Sequence, residues 1–211
     1  RDNYEMYQSE VEHYTSQGYR LLVFGKYLGE FQETLTAEVQ PLGYILLWNP
    51  IRKEAKATFE YFAEQNVAIK VISGDNPLTV SNVAQAAGII GAENYVDART
   101  LTTMEAQTEA LEKYTVFGRV TPEQKKQFVL LLKKLDHTVA MTGDGVNDIL
   151  AMKEADCSIA MASGNQATAQ ASQVVLLDSD FSTMPEVVFE GRQVVNNIER
   201  SSSLFHVKNI F

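Results

Sequence analysis

The 211-residue sequence contains one cysteine, one tryptophan and five prolines. A lone thiol, Cys157, cannot close an internal disulfide. That excludes a disulfide-stapled secreted mini-domain and fits a reducing, cytosolic compartment. Basic residues are also in deficit: 18 Lys and Arg stand against 27 Asp and Glu, a formal charge of −9. A nucleic-acid binder needs a clustered basic surface against phosphate, so that class is excluded. No apolar run reaches the ~18 residues of a membrane-spanning helix, and no signal peptide opens the chain. Internal repeats and low-complexity tracts are lacking too. What is present is ordinary: 45% hydrophobic and 21% charged residues, the balance of a globular chain that buries a core without staples. The length suits one full domain plus an appendage. The chain opens at Arg1 and stops inside the apolar-leaning Ser203–Phe211, so the expectation is a piece of a longer protein.

Residues 1–40 read as a separate block. It holds a polar, aromatic helix over Asp2–Gln17, a strand over Gly18–Gly25 and a charged loop over Thr34–Pro41. From Pro41 the pattern becomes strand–helix alternation. The continuous apolar run Gly43–Trp48 predicts a strand buried on both faces. Asn49-Pro50 and Asn76-Pro77 each predict a helix start, with Asn as N-cap and Pro in the first turn. Strands are expected at Val67–Ile72, Thr115–Gly118, His137–Met141, Cys157–Ala160 and Val174–Leu177, with a weaker one in 95–114 ahead of an acidic helix. Thr121-Pro122-Glu123-Gln124 has capping-box spacing and opens a further helix. Asn147–Ala155 reads as a short helix. A long one runs from about Thr183 with Met184, Val187, Val188, Val194, Val195 and Ile198 as a packing stripe. The fold class is therefore α/β: a doubly wound, mostly parallel sheet with a small N-terminal appendage and a long C-terminal helix.

In such folds ligands bind beyond the carboxyl ends of the strands, so the residues just after each strand carry the functional argument. Thr142-Gly143-Asp144-Gly145-Val146-Asn147-Asp148 is the most informative stretch. Asp144 and Asp148, with Asn147 beside the second, supply hard oxygen ligands that suit Mg²⁺, usually held by one or two carboxylates plus phosphate and water. Acidic groups alone repel phosphate, so a metal or a nearby cation must intervene, and Lys125 is the candidate cation. Ser73 offers a hydroxyl and Gly74 an amide at a strand-to-helix junction, where anions bind well. Other residues have plainer readings. Asn49 and Asn76 are helix caps, Cys157 a small core residue, and His13, His137 and His206 structural.

These stretches resemble the motifs of cation-transporting P-type ATPases, of the bacterial Ca²⁺/Mg²⁺-type branch. Thr142–Asp148 is similar, residue for residue, to their hinge motif. Ser73-Gly74-Asp75 resembles their Thr-Gly-Asp, and Phe117–Lys125 their phosphate-contacting stretch with Arg119 and Lys125. Ile159–Gly164 and Asp178–Thr183 look like the segments leading to the stalk. Arg20 matches an arginine that family members place against the nucleotide phosphates. Asn49-Pro50-Ile51-Arg52 stands where many members have Asp-Pro-Pro-Arg.

The resemblance implies a haloacid-dehalogenase-like core whose aspartate attacks the γ-phosphate of ATP, driving ions across a membrane. It implies residues 1–40 as the end of a nucleotide-binding domain, 41–182 as a phosphorylation domain and 183–211 as a stalk helix. Ser73, Gly74 and Asp75 would serve the transferred phosphoryl group, Lys125 its charge, and Asn147 a hydrogen bond to it. Asp144 and Asp148 would serve Mg²⁺, with Asp148 also positioning Lys125. Arg20, Asn49, Arg52 and Arg119 would face the nucleotide. Partners would be ATP, a transported cation (Ca²⁺ the first choice) and the actuator, nucleotide and membrane domains of a pump, at the cytoplasmic face of the cell membrane. The nucleophile loop Asp-Lys-Thr-Gly-Thr occurs nowhere in the chain. The expectation is a fragment inactive alone, the alternatives being a soluble phosphatase of the same superfamily or a non-catalytic Mg²⁺- or nucleotide-binding module.

Overall fold

The computed structural model describes residues 8–14, 17, 19–29, 39–48 and 50–210. The chain divides into two compact units, Arg1–Arg52 with Lys70–Thr121, and Lys53–Ile69 with Pro122–Phe211.

In the first unit, residues 8–14 are helical (α1). The rest of the expected Asp2–Gln17 helix falls largely outside the described residues. Strands β1 (Arg20–Tyr27) and β2 (Val39–Leu47) form an antiparallel hairpin. Its register slips at Phe24/Gly25, setting Gly25 opposite Pro41. A proline has no N–H to give to the ladder and is tolerated at such a bulge. Two expectations are corrected here. Val39–Pro41 belongs to the strand rather than to a loop, the remainder of that loop lying outside the described residues. The Gly43–Trp48 run is not buried on both faces: it pairs antiparallel with β1, and Ile45, Leu46, Leu47 and Trp48 are exposed. A short apolar run has the same signature in either setting.

The remainder of this unit is a parallel three-stranded sheet in the order β3-β5-β4, with β3 Val71–Ile72, β4 Tyr95–Asp97 and β5 Val116–Gly118. Only two residues of the expected Val67–Ile72 strand pair. Helix α3 (Pro77–Ala86) begins as its sequence predicts, Asn76 Oδ1 accepting the Leu78 N–H at 3.0 Å. Its Ala84 packs with Ala92, Val116, Val71, Val80 and Ile89. Helix α4 (Met104–Lys113) is capped by Thr103 and buries Gln107, Ala110 and Leu111.

In the second unit, β6 (Ala140–Gly143), β7 (Cys157–Met161) and β8 (Val174–Leu176) form a second parallel sheet in that order. Among the described residues the parallel strands hydrogen-bond as two three-stranded sheets. Helix α5 (Pro122–Lys134) buries Phe128, Val129 and Leu131. A fully buried side chain such as Phe128 contributes about 1.5–3 kcal/mol. Short helices α6 (Ile149–Glu154) and α7 (Gln166–Ala171) follow β6 and β7.

Helix α2 (Ala55–Glu64) corrects the Asn49-Pro50 start. Glu54 stands at its N-cap, and both the N–H and the hydroxyl of Thr58 donate to the Glu54 carbonyl. Phe62 of α2 clusters with Ile159, Leu176 and Met184, and its ring lies 5.7 Å from that of Phe181. Helix α8 (Met184–Ile210) corrects the packing stripe. Met184 is buried and Val188 packs on the cluster, but Val194, Val195 and Ile198 are exposed. Among the described residues no helix is long and apolar enough to cross a membrane.

Candidate functional site

The residues expected to serve the phosphoryl group and Mg²⁺ fall into two groups, each at the carboxyl end of its own sheet. In the first unit, the loop after β3 and the loop after β5 are laced together through their backbones. Ser73 N–H donates to Phe117 O at 2.9 Å, Val120 N–H to Ser73 O at 3.0 Å, and Arg119 N–H to Asp75 O at 2.8 Å. Ser73 Oγ accepts the Asp75 N–H at 3.1 Å, which tightens the turn. Gly118 lies so close against Pro77 that a Cβ there would overlap the Pro77 backbone. Gly74 and Arg119 are exposed at the rim, and Arg119 holds a left-handed φ of 57°. Asp97 at the end of β4 stands in register with Gly118.

Asp97 was not anticipated as part of this rim. Arg99 grips its carboxylate with a fork: Nε donates to Oδ1 at 3.0 Å and NH2 to Oδ2 at 2.6 Å. That fork, with the Arg99 N–H and the charge of Arg119, holds the Asp97 carboxyl below its ordinary range. Of the nucleotide-facing residues expected from the sequence, Arg52 is exposed and Arg20 opens β1 opposite Leu47. Asn49 lies outside the described residues.

The second group is built by β6 and α5. After Gly143 the chain passes Asp144 into a 3-10 turn over Val146–Asp148, closed by the Asp148 N–H on Gly145 O at 3.0 Å. Asp148 turns inward. Its Oδ1 accepts the Lys125 Nζ at 2.6 Å, and the two side chains are only 10% and 14% exposed. Lys125 lies three positions before buried Phe128 on α5, on the same face of the helix. Asp144 and Asn147 are exposed.

The two carboxylates therefore differ. Asp148 is occupied by an ammonium, which suits the positioning of Lys125. Asp144 presents open oxygens at the strand end. Among the described residues no cluster of three or more His, Cys, Asp or Glu is gathered. The donor set fits Mg²⁺, which takes one or two protein carboxylates and fills its other positions with water and phosphate.

One residue near Asp144 had no site role in the sequence reading. Gly164, after β7, touches the Asp144 backbone: a Cβ there would fall 2.5 Å from the Asp144 carbonyl oxygen. The glycine after a strand was visible in the sequence, but its neighbour was not.

Comparison with known proteins gives the family. A model of the haloacid dehalogenase-like hydrolase family matches residues 6–156. A probable cation-transporting ATPase, exp7, from Streptococcus pneumoniae is 46% identical over 96% of this chain and 26% of its own length. The calcium-transporting ATPase CtpE of Mycobacterium tuberculosis is 48% identical over 82% of this chain and 22% of its own. That of Mycolicibacterium smegmatis is 45% identical over 96% and 26%. The chain thus spans about a quarter of the length of these relatives. Mg²⁺ and ATP are cofactor and substrate in P-type ATPases of this kind. The chain belongs to the haloacid dehalogenase-like hydrolase family, and the relatives it resembles along most of its length are cation-transporting ATPases.

Proposed function

We propose that this chain is the phosphorylation-domain part of an ATP-driven, Mg²⁺-dependent cation pump that works through an aspartyl-phosphate. The observation that carries the reading is the buried Lys125–Asp148 pair beside the exposed Asp144 at the end of β6. A phosphoryl group in transfer spreads negative charge over its oxygens, and catalysis consists of positioning and neutralising that charge. Lys125 supplies a cation, and Asp148 keeps it oriented. Asp144 would hold Mg²⁺, which when bound supplies charge neutralisation at the phosphoryl oxygens. Ser73 and Gly74 offer a hydroxyl and an amide at the start of α3 for phosphoryl oxygens, Asp75 ties this turn to Arg119, and Asn147 offers a hydrogen bond. Arg119, Arg20, Asn49 and Arg52 serve the nucleotide.

In this reading residues 1–40 end a nucleotide-binding domain, 41–182 form the phosphorylation domain and 183–211 begin a stalk. The nucleophile belongs to another part of the longer protein. Strand β6 pairs with β7 alone among the described residues, which leaves an edge for the strand that carries it. The relatives named as calcium-transporting favour Ca²⁺ as cargo. The partners are the actuator, nucleotide and membrane parts of the pump, at the cytoplasmic face of the cell membrane.

Labelling with γ-phosphate-labelled ATP tests this. The longer protein takes up acid-stable label that needs Mg²⁺, and Asp144→Asn or Lys125→Ala abolishes it. The 211-residue chain alone takes up none. Acid-stable label on the chain alone would overturn the reading.

A further inference from the structure

The turn after β7 lies directly against the backbone of Asp144. A Cβ on Gly164 would fall 2.5 Å from the Asp144 carbonyl oxygen and 3.0 Å from its Cα, so only glycine fits. The next residue, Asn165, donates its N–H to the same carbonyl at 2.8 Å. Its Oδ1 accepts the Ala167 N–H at 2.8 Å, which fixes it at the start of α7. The main chain of Asp144 therefore rests on a two-residue seat.

The seat is held in turn from the segment that leads into α8. Ser163 N–H donates to Ser179 Oγ at 2.7 Å, and Ala162 N–H to Leu176 O at 3.0 Å. Ser179 has a φ of 51°, left-handed and uncommon for a residue with a side chain. Such a conformation persists where the surroundings over-determine it. Its N–H donates to Leu176 O at 3.0 Å. The following Asp180 caps the turn into α8, Oδ1 accepting the Ser182 N–H at 2.9 Å and its carbonyl the Thr183 hydroxyl at 2.8 Å. From the head of α8 to Asp144 there is an unbroken series of short contacts through Ser179, Ser163, Gly164 and Asn165.

We propose that Gly164 and Ser179 are positioning residues for the Asp144 carboxylate: the turn sets where its oxygens stand, and Ser179 sets the turn. Affinity for the divalent cation is then governed from the head of α8. The proposal rests on the assignment of Asp144 to Mg²⁺ above. It has a physical basis in metal sites generally, where mutating a group that orients a ligand costs about 10–100-fold in affinity.

The test is an Mg²⁺ titration of the ¹⁵N-labelled 211-residue chain, read at the amide signals of Asp144, Gly145 and Asn165, beside a thermal midpoint for each variant. Ser179→Gly removes the Oγ acceptor while suiting the left-handed backbone. Ser179→Asn keeps an oxygen acceptor on a residue that tolerates the same conformation. The expected result is loss of the saturable response in Asp144→Asn. Ser179→Gly raises the half-saturating Mg²⁺ about tenfold with an unchanged thermal midpoint, and Ser179→Asn returns it toward the parent value. Gly164→Ala acts in the same direction as Ser179→Gly. Parent-like Mg²⁺ binding in both Ser179→Gly and Gly164→Ala, with Asp144→Asn inactive in binding, overturns the proposal and spares the Asp144 assignment. Parent-like binding in Asp144→Asn overturns the assignment and the proposal together.

Discussion

The side chain of Asp148 fills the space that a Cβ on Gly143 would need: a carbon placed there would come within 2.6 Å of Asp148 Cβ and 3.0 Å of its carboxyl carbon. The glycine at the end of β6 thus lets the carboxylate fold back under the strand and meet Lys125. Removing one member of a buried ion pair leaves the other uncompensated and costs about 3–5 kcal/mol. Asp148→Ala is expected to fall in that range, and Gly143→Ala, which crowds the aspartate without deleting it, to cost about 1–3 kcal/mol. Urea unfolding midpoints check both. An Asp148→Ala midpoint equal to the parent's would show that the pair does not hold the turn.

Acid is expected to weaken the chain through two carboxylates. Asp156 accepts the Val139 N–H on Oδ2 and Lys133 Nζ on Oδ1, each at 2.9 Å. The backbone N–H first, and then the lysine, hold its carboxyl below the ordinary 3.8. Asp97 is lowered in the same sense, chiefly by the Arg99 fork. A folded-state pKa below the unfolded one contributes stability that is present above the unfolded value and lost as pH falls through the folded one. The stability difference between the parent and Asp156→Asn should therefore be open at about pH 6 and close below 3.8. A difference that stays constant through that window would mean the charge plays no part.

Gly118 and Gly74 stand on neighbouring loops and should respond to alanine by very different amounts. At Gly118 the added carbon meets the Pro77 backbone, so Gly118→Ala is expected to cost about 1–3 kcal/mol. At Gly74 the nearest atom is the Val120 carbonyl oxygen, 3.9 Å away, and Gly74→Ala should stay within about 0.5 kcal/mol. Thermal midpoints of the two variants, measured side by side, decide it.

Asn76 tests the helix cap directly. Asn76→Ala is expected to lose about 1 kcal/mol, while Asn76→Asp, which keeps an acceptor for the Leu78 N–H, should lose little. Equal losses in both would show that the amide itself, rather than the cap, is needed.

The features most legible in the sequence were local ones. The Asn76-Pro77 start, the Thr121–Gln124 entry to α5 and the Gly-Asp-Gly turn after β6 depend on residues within a few positions of one another, and each is where its motif put it. Distant contacts were not legible from the local residues alone. Lys125 and Asp148 are 23 residues apart, and it is the family resemblance, not either stretch by itself, that implies Asp148 positioning Lys125. The reason for Gly164 lies 20 positions upstream, in the backbone of Asp144. Hydrophobic runs misled where their cover was in question. Gly43–Trp48 and the stripe of α8 have the right periods, but a period shows which face is apolar and not what lies against it.

Helix α8 runs for 27 residues, about 40 Å at 1.5 Å per residue. Its first two turns are seated by Met184 and Val188, and Arg192 NH1 reaches Gln65 Oε1 at 2.8 Å. From there every side chain as far as Phe205 is exposed. The helix is therefore a lever with a short arm of about two turns in the core and a long arm of about five turns outside it. A tilt of about 5° at the Met184 end sweeps the Ile210 end through about 3 Å. A load applied at Ile210 is multiplied about two- to threefold at the Met184 end of the helix, which follows Ser179 and Asp180.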